Sequence, residues 1–137
     1  MALDFLNESP LVFPVLECFH IAGFIVAVGT IAIVDFRLLG FGLLRQDPEE
    51  LARDLAPWTI VALGVTFMAG MGLYMSDPDM YYLNYIFLWK MAALLAALLF
   101  HYTLRGRMLR SSGSLAAIIS IALWSFVIGG GIFTAFV

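Results

Sequence analysis

Lys90 stands inside an apolar stretch running from Tyr85 to Leu104, and Glu17 and His20 stand one helical turn apart inside another. A lone ammonium near the centre of a bilayer costs roughly 3 kcal/mol or more, so it faces a partner, a cavity or a ligand rather than lipid. Lys90 therefore either pairs with Glu17, reducing the cost of burying both charges, or binds an anion such as a haem propionate, a quinone oxygen or a tetrapyrrole carboxylate. His20 has three readings: a structural histidine bonded across helices, an axial ligand to a b-type haem, or part of a proton or cation path with Glu17 and Lys90. A neutral imidazole that ligates iron needs its other ring nitrogen held by an acceptor. Glu17, on the same helical face, is the candidate acceptor. Met68 offers a thioether as a further ligand, although most of the methionines read as packing. His101 reads as an interfacial histidine reaching headgroups, as a second ligand, or as a proton entry point. A single Glu-x-x-His is half of a diiron set, and no second copy exists.

The elements that must position these groups follow from composition. Of 137 residues, 63% are hydrophobic and only 12% charged, more apolar surface than a water-soluble domain of this size can bury. Apolar runs of spanning length occupy about residues 11–34, 57–75, 83–104 and 114–136. Roughly 20 residues of helix cross a hydrocarbon core of about 30 Å. The runs lack the alternation of barrel strands, so they are read as helices. The expected fold is an all-α polytopic membrane protein, a single domain over residues 1–137, folded as an up-down four-helix bundle because the loops are short.

Charge sets the expected orientation. Arg37, Arg45 and Arg53 lie between the first two runs, and Arg105, Arg107 and Arg110 between the last two. The N-terminal tail with Asp4 and Glu8, and the turn with Asp77 and Asp79, carry no basic residue. The positive-inside rule then puts both termini outside and the arginine loops in the cytoplasm. The acidic start lacks the basic region of a signal peptide and is expected to be retained. On ideal helix geometry His20, Lys90 and Met68 fall in the outer half, able to line one cavity, while His101 falls about 11 Å toward the cytoplasm. His20 and His101 are therefore not expected to grip one iron.

Further local readings follow. Asp47-Pro48-Glu49-Glu50 is a helix start, and Leu51, Leu55 and Trp58 suit a short surface stretch before Pro57 opens the second span. Leu38 to Gly42 extends the first helix, and Asp35 and Arg37 form interfacial ion pairs. Tyr74, Tyr81, Tyr82 and Tyr85 form an aromatic belt around the Ser76–Asp79 turn. Glycines of the first, second and fourth spans permit close helix approach, a cofactor groove or a subunit interface. The single Cys18 excludes an internal disulfide and a c-type haem attachment, and no basic patch suits nucleic acid.

The segments Cys18-Phe19-His20-Ile21-Ala22-Gly23, Asp35-Phe36-Arg37-Leu38-Leu39-Gly40, Leu51 to Trp58 and Asn84 to Lys90 resemble a family of small uncharacterised four-helix bacterial membrane proteins. The last span departs from that pattern, with Gly129-Gly130-Gly131 where an arginine is expected. Phe19-His20-Ile21 and the spacing of Lys90 and His101 resemble, more distantly, the HemJ-type protoporphyrinogen oxidases, whose Asn-Glu-x-Pro at the start of the last span is missing. That likeness implies a b-type haem ligated by His20, with Lys90 as an active-site group, in the bacterial inner membrane.

The leading expectation is an integral membrane b-type haem protein with a redox role. It would transfer electrons or oxidise a small hydrophobic substrate, with Lys90 and Glu17 shaping the site. The second is a cofactor-free accessory or assembly subunit of a larger membrane complex, or a homo-oligomer joined through the glycine faces. The third is a proton-coupled permease.

Overall fold

The computed structural model describes Leu6 and residues 8–136, so the tail with Asp4 lies outside the described residues. The described fold is all-α. In chain order it comprises α1 (Val12–Leu38), α2 (Pro48–Ser76), α3 (Pro78–Tyr82), α4 (Tyr85–Tyr102), α5 (Leu104–Ser111) and α6 (Gly113–Thr134). Helices α1, α2, α4 and α6 are long and apolar enough to cross a membrane.

Helix α1 ends at Leu38 rather than continuing to Gly42. Gly40 takes φ +87°, its N–H donates to the Arg37 carbonyl, and the Phe41 N–H reaches back to the Phe36 carbonyl at 2.8 Å. This pair of bonds is a Schellman stop, which needs a left-handed residue just past the helix. Helix α2 starts after Asp47 with Pro48 in its first turn, although the Asp47 side chain makes no capping bond. It then runs unbroken through Pro57, so the short surface stretch expected before Pro57 is the first part of the same helix. Asn84 starts α4 by accepting from the Ile86 and Phe87 N–H groups at 3.0 and 3.2 Å. Its amide donates to the Thr134 carbonyl, fastening the beginning of α4 to the end of α6.

Helix α1 packs along α2, α4 along α6, and α1 also meets α6, whereas α2 and α4 scarcely touch. Ile31, Ala97, Trp124 and Val127 form the buried centre, with Phe24, Leu63 and Ala93 packed around it. A seam is therefore left between α2 and α4, with α1 as its floor. Large apolar side chains such as Phe19, Trp89 and Phe126 face outward, as suits a surface covered by hydrocarbon.

Close approach of α1 and α2 rests on Gly23. A Cβ there would lie 2.6 Å from Thr66 Oγ1, 3.0 Å from the Ala62 carbonyl and 3.1 Å from the Thr66 amide nitrogen. Two of those three atoms are backbone, which cannot swing aside. Gly23→Ala is expected to destabilise the fold by roughly 1–3 kcal/mol through overpacking. The check is its unfolding midpoint in detergent, compared with Gly29→Ala, where a Cβ meets nothing within 4 Å.

Candidate functional site

The groups of chemical interest fall at two ends of the seam. At one end His20, from α1, turns toward α2. Its Nδ1 donates to the Thr66 carbonyl at 2.8 Å, a bond only a protonated nitrogen can make to a carbonyl oxygen. Gly70 makes the space: a Cβ there would come within 2.9 Å of His20 Cε1. The neutral ring is thus fixed in one tautomer, with Nε2 bare. Glu17, named from sequence as the group that would hold Nδ1, is exposed and does not do so; the backbone of α2 does.

Lys90 is half-buried on α4. Its stem lies against Gly130 of α6, and its Nζ sits 5.9 Å from the centre of the Phe87 ring. Phe87 belongs to a cluster with Tyr74, stacked on it at 6.1 Å, and Tyr81 at 5.2 Å. Among the described residues no hydrogen bond or ion pair engages Lys90 or Glu17, so the Lys90–Glu17 pairing is not formed. Lys90 nevertheless shares this end with His20, because Gly70, packed on the His20 ring, lies one turn from Tyr74, which stacks on Phe87. Glu17 acts with Asp77 on Tyr81, whose hydroxyl is pushed above its ordinary value by burial first and by these carboxylates second. His20, Glu17 and Lys90 are therefore brought to one end, beside an aromatic cluster.

Met68 is not part of this group. It is 72% exposed and lines a shallow groove with Leu16, Phe19 and Val65, on the face of α2 away from Thr66 and Gly70. Helical spacing decides this, because a residue two positions from Thr66 and from Gly70 points to the opposite side.

The other end of the seam holds a network that sequence reading paired differently. Asp35, on α1, is 1% exposed and Arg105, at the start of α5, 4% exposed. Arg105 Nη2 donates to Asp35 Oδ1 at 2.6 Å and to the Ile31 carbonyl at 3.3 Å, and the Ser120 hydroxyl of α6 donates to Asp35 Oδ2 at 2.6 Å. Asp35 is thus bound to Arg105 and Ser120, not to Arg37, which instead donates to the Gln46 carbonyl. Arg105 lies one turn beyond His101, just past the break at Thr103 where α4 stops and α5 begins.

His101 lies beside this network, with its Nδ1 3.4 Å from Arg105 Nη1. A guanidinium offers only donors, so Nδ1 is the acceptor and the proton of the neutral ring is on Nε2. The two histidines hold opposite tautomers at opposite ends of the seam, His101 beside Thr30 and Ile31, about 15 Å along α1 from His20. His101 does not join His20 around one iron. Between α1, α2, α4 and α5 at this end lies a cavity of about 260 Å³, bordered by Arg53, His101 and Arg105.

A family model matches residues 12–137, nearly the whole chain. The chain belongs to DUF6644, a family of unknown function. Membership in DUF6644 covers all four long helices and both ends of the seam. No curated protein and no solved structure matches the chain. Among the described residues no cluster of three or more metal-binding side chains occurs.

Proposed function

We propose that the chain is an integral membrane protein that binds a b-type haem through His20 and serves a redox role. The observation that carries this is the fixed His20 tautomer: Nδ1–H is held by the Thr66 carbonyl and the bare Nε2 is left as a lone-pair donor. This is the arrangement in which ligating histidines are held by their surroundings. A cofactor that brings its own equatorial ligands needs only such an axial donor, which fits a site without a multi-residue metal cluster. Of the residues named from sequence, His20 would hold the group, since Met68 and His101 both lie elsewhere. Lys90, whose ammonium makes no hydrogen bond or ion pair among the described residues and lies over the Phe87 ring, suits a propionate, and the Tyr74–Phe87 stack gives a flat apolar wall. Bound there, the iron would supply one-electron chemistry. The chain's own residues would orient the imidazole and present a cation to a carboxylate. The likeness of Phe19-His20-Ile21 and Lys90 to the HemJ-type oxidases supports the same assignment.

In this reading the four long helices cross the bacterial inner membrane as an up-down bundle. The contacts His20–Thr66 and Thr30–Thr59 between α1 and α2, and Lys90–Gly130 and Asn84–Thr134 between α4 and α6, suit antiparallel neighbours. The arginine end is cytoplasmic and both termini are outside, following the distribution of basic residues.

The test is haem content by pyridine extraction of protein purified from its native membrane. His20→Ala is expected to insert and fold but to lose at least about nine-tenths of the haem, as removal of an axial ligand predicts. Full retention of haem in a folded His20→Ala protein would remove His20 as the ligand.

A further inference from the structure

We infer that the cavity at the arginine end binds the anionic head of a membrane amphiphile, a carboxylate or phosphate, whose tail leaves through the seam between α2 and α4. This site is separate from His20 and does not rest on the haem reading.

The argument begins with an unsatisfied donor. Among the described residues, Arg105 Nε is the buried side-chain nitrogen or oxygen that has no hydrogen-bond partner. Arg105 is 4% exposed and forms part of the cavity border. A buried donor without an acceptor is costly, and an ionised one more so, which is why such groups are rare unless something outside the protein completes them. The other guanidinium nitrogens are engaged by Asp35, Ile31 and His101. His101, accepting at Nδ1, has Nε2–H left as a second donor on the same border.

Charge selects an anion over a neutral acceptor. Asp35 balances Arg105 within the network, while Arg53, exposed on the border, forms no close ion pair among the described residues, its neighbour Glu49 being bonded to Arg110. No Asp or Glu borders the cavity. An incoming carboxylate or phosphate therefore meets the Arg53 cation and the His101 Nε2–H on the border, with the Arg105 guanidinium behind them carrying a buried Nε that has no partner.

Shape selects an amphiphile over a free ion. The remaining walls are largely apolar, including Ile31, Val34 and Leu55. At about 260 Å³ it takes a head group and several methylenes. Because α2 and α4 scarcely touch, the chain beyond has a path into the surrounding hydrocarbon.

The experiment measures binding of tritiated oleate to the full chain in a neutral detergent, with oleyl alcohol, dioleoyl phosphatidate and inorganic phosphate as competitors. The expected result is saturable binding of one oleate per chain, with oleyl alcohol and inorganic phosphate each weaker by about tenfold or more, the size of a lost charge-assisted contact. Displacement by phosphatidate identifies a phospholipid head as a ligand of the site, and its failure to displace identifies a free carboxylate; either supports the proposal. Arg53→Gln leaves the Asp35–Arg105 bond intact, so it is expected to fold and to weaken oleate about fivefold or more. Arg105→Lys keeps a cation for Asp35 while deleting Nε, and is expected to weaken it further. Equal binding of oleate and oleyl alcohol, equal binding of inorganic phosphate and oleate, or unchanged affinity in folded Arg53→Gln would each overturn the proposal.

Discussion

Asp35→Ala is expected to lower the stability of the folded chain by roughly 3–5 kcal/mol, the cost of leaving one member of a buried ion pair uncompensated. Asp35 accepts from Arg105 on one carboxylate oxygen and from Ser120 on the other, and so ties α1 to both α5 and α6. Without it Arg105 keeps a full charge at 4% exposure, with only the Ile31 carbonyl and His101 for company. The unfolding midpoint in mixed micelles, followed by tryptophan emission, measures the loss. Replacing both members with apolar residues of similar volume, Asp35→Leu with Arg105→Met, is expected to cost less than the single change, because no charge is then stranded. A double variant as damaged as Asp35→Ala would mean that shape at this position matters more than charge.

Gly130→Leu is the second large effect. A Cβ at Gly130 would stand 2.8 Å from Lys90 Cβ and 3.2 Å from Lys90 Cα, atoms fixed to the backbone of α4. Helices α4 and α6 must separate to accept it, weakening the Asn84–Thr134 bond that joins their ends and shifting Lys90 away from Phe87. The expected destabilisation is roughly 3 kcal/mol, at the upper end for overpacking because the leucine adds a whole branched side chain. Gly131→Ala is the control. Its Cβ would meet Lys90 Cε and Nζ at 3.9 Å, an ordinary contact with the mobile end of a side chain. The two thermal midpoints, measured side by side, should differ by several degrees; equal midpoints would show that α4 and α6 are not held at the spacing described.

Much of this architecture could be read from residue types. Four apolar runs become four long helices because in such sequences helix is the only structure that satisfies the backbone internally. Boundaries were harder. The Gly40 stop depends on a left-handed residue with the right carbonyls behind it, which a single glycine in Leu39-Gly40-Phe41-Gly42 only hints at. Pro57 read as the opening of a span, yet a helix accommodates one proline at the cost of a single backbone bond.

The sites divide in the same way. His20, Lys90 and Glu17 stand out because ionisable groups within apolar helices are expensive. The partner that fixes His20 is a backbone carbonyl, and carbonyls carry no residue signature. Arg105 is one of several arginines that report membrane sidedness, and nothing in its residue type marks it as the one that bonds Asp35. A signal did exist, since Asp35 at the end of an apolar run calls for a cation, but sequence offered the adjacent Arg37 first. Met68 failed for a geometric reason, because depth along a helix says nothing about which face a side chain occupies.

The central claim is that a haem sits on His20, and the most direct measurement is a dithionite-reduced minus oxidised visible spectrum of the protein purified from its native membrane. A sharp α band with a shifted Soret peak, lost in His20→Ala, is the predicted result. A flat difference spectrum, with no haem extractable into pyridine, would contradict the claim and leave His20 as a structural tie between α1 and α2.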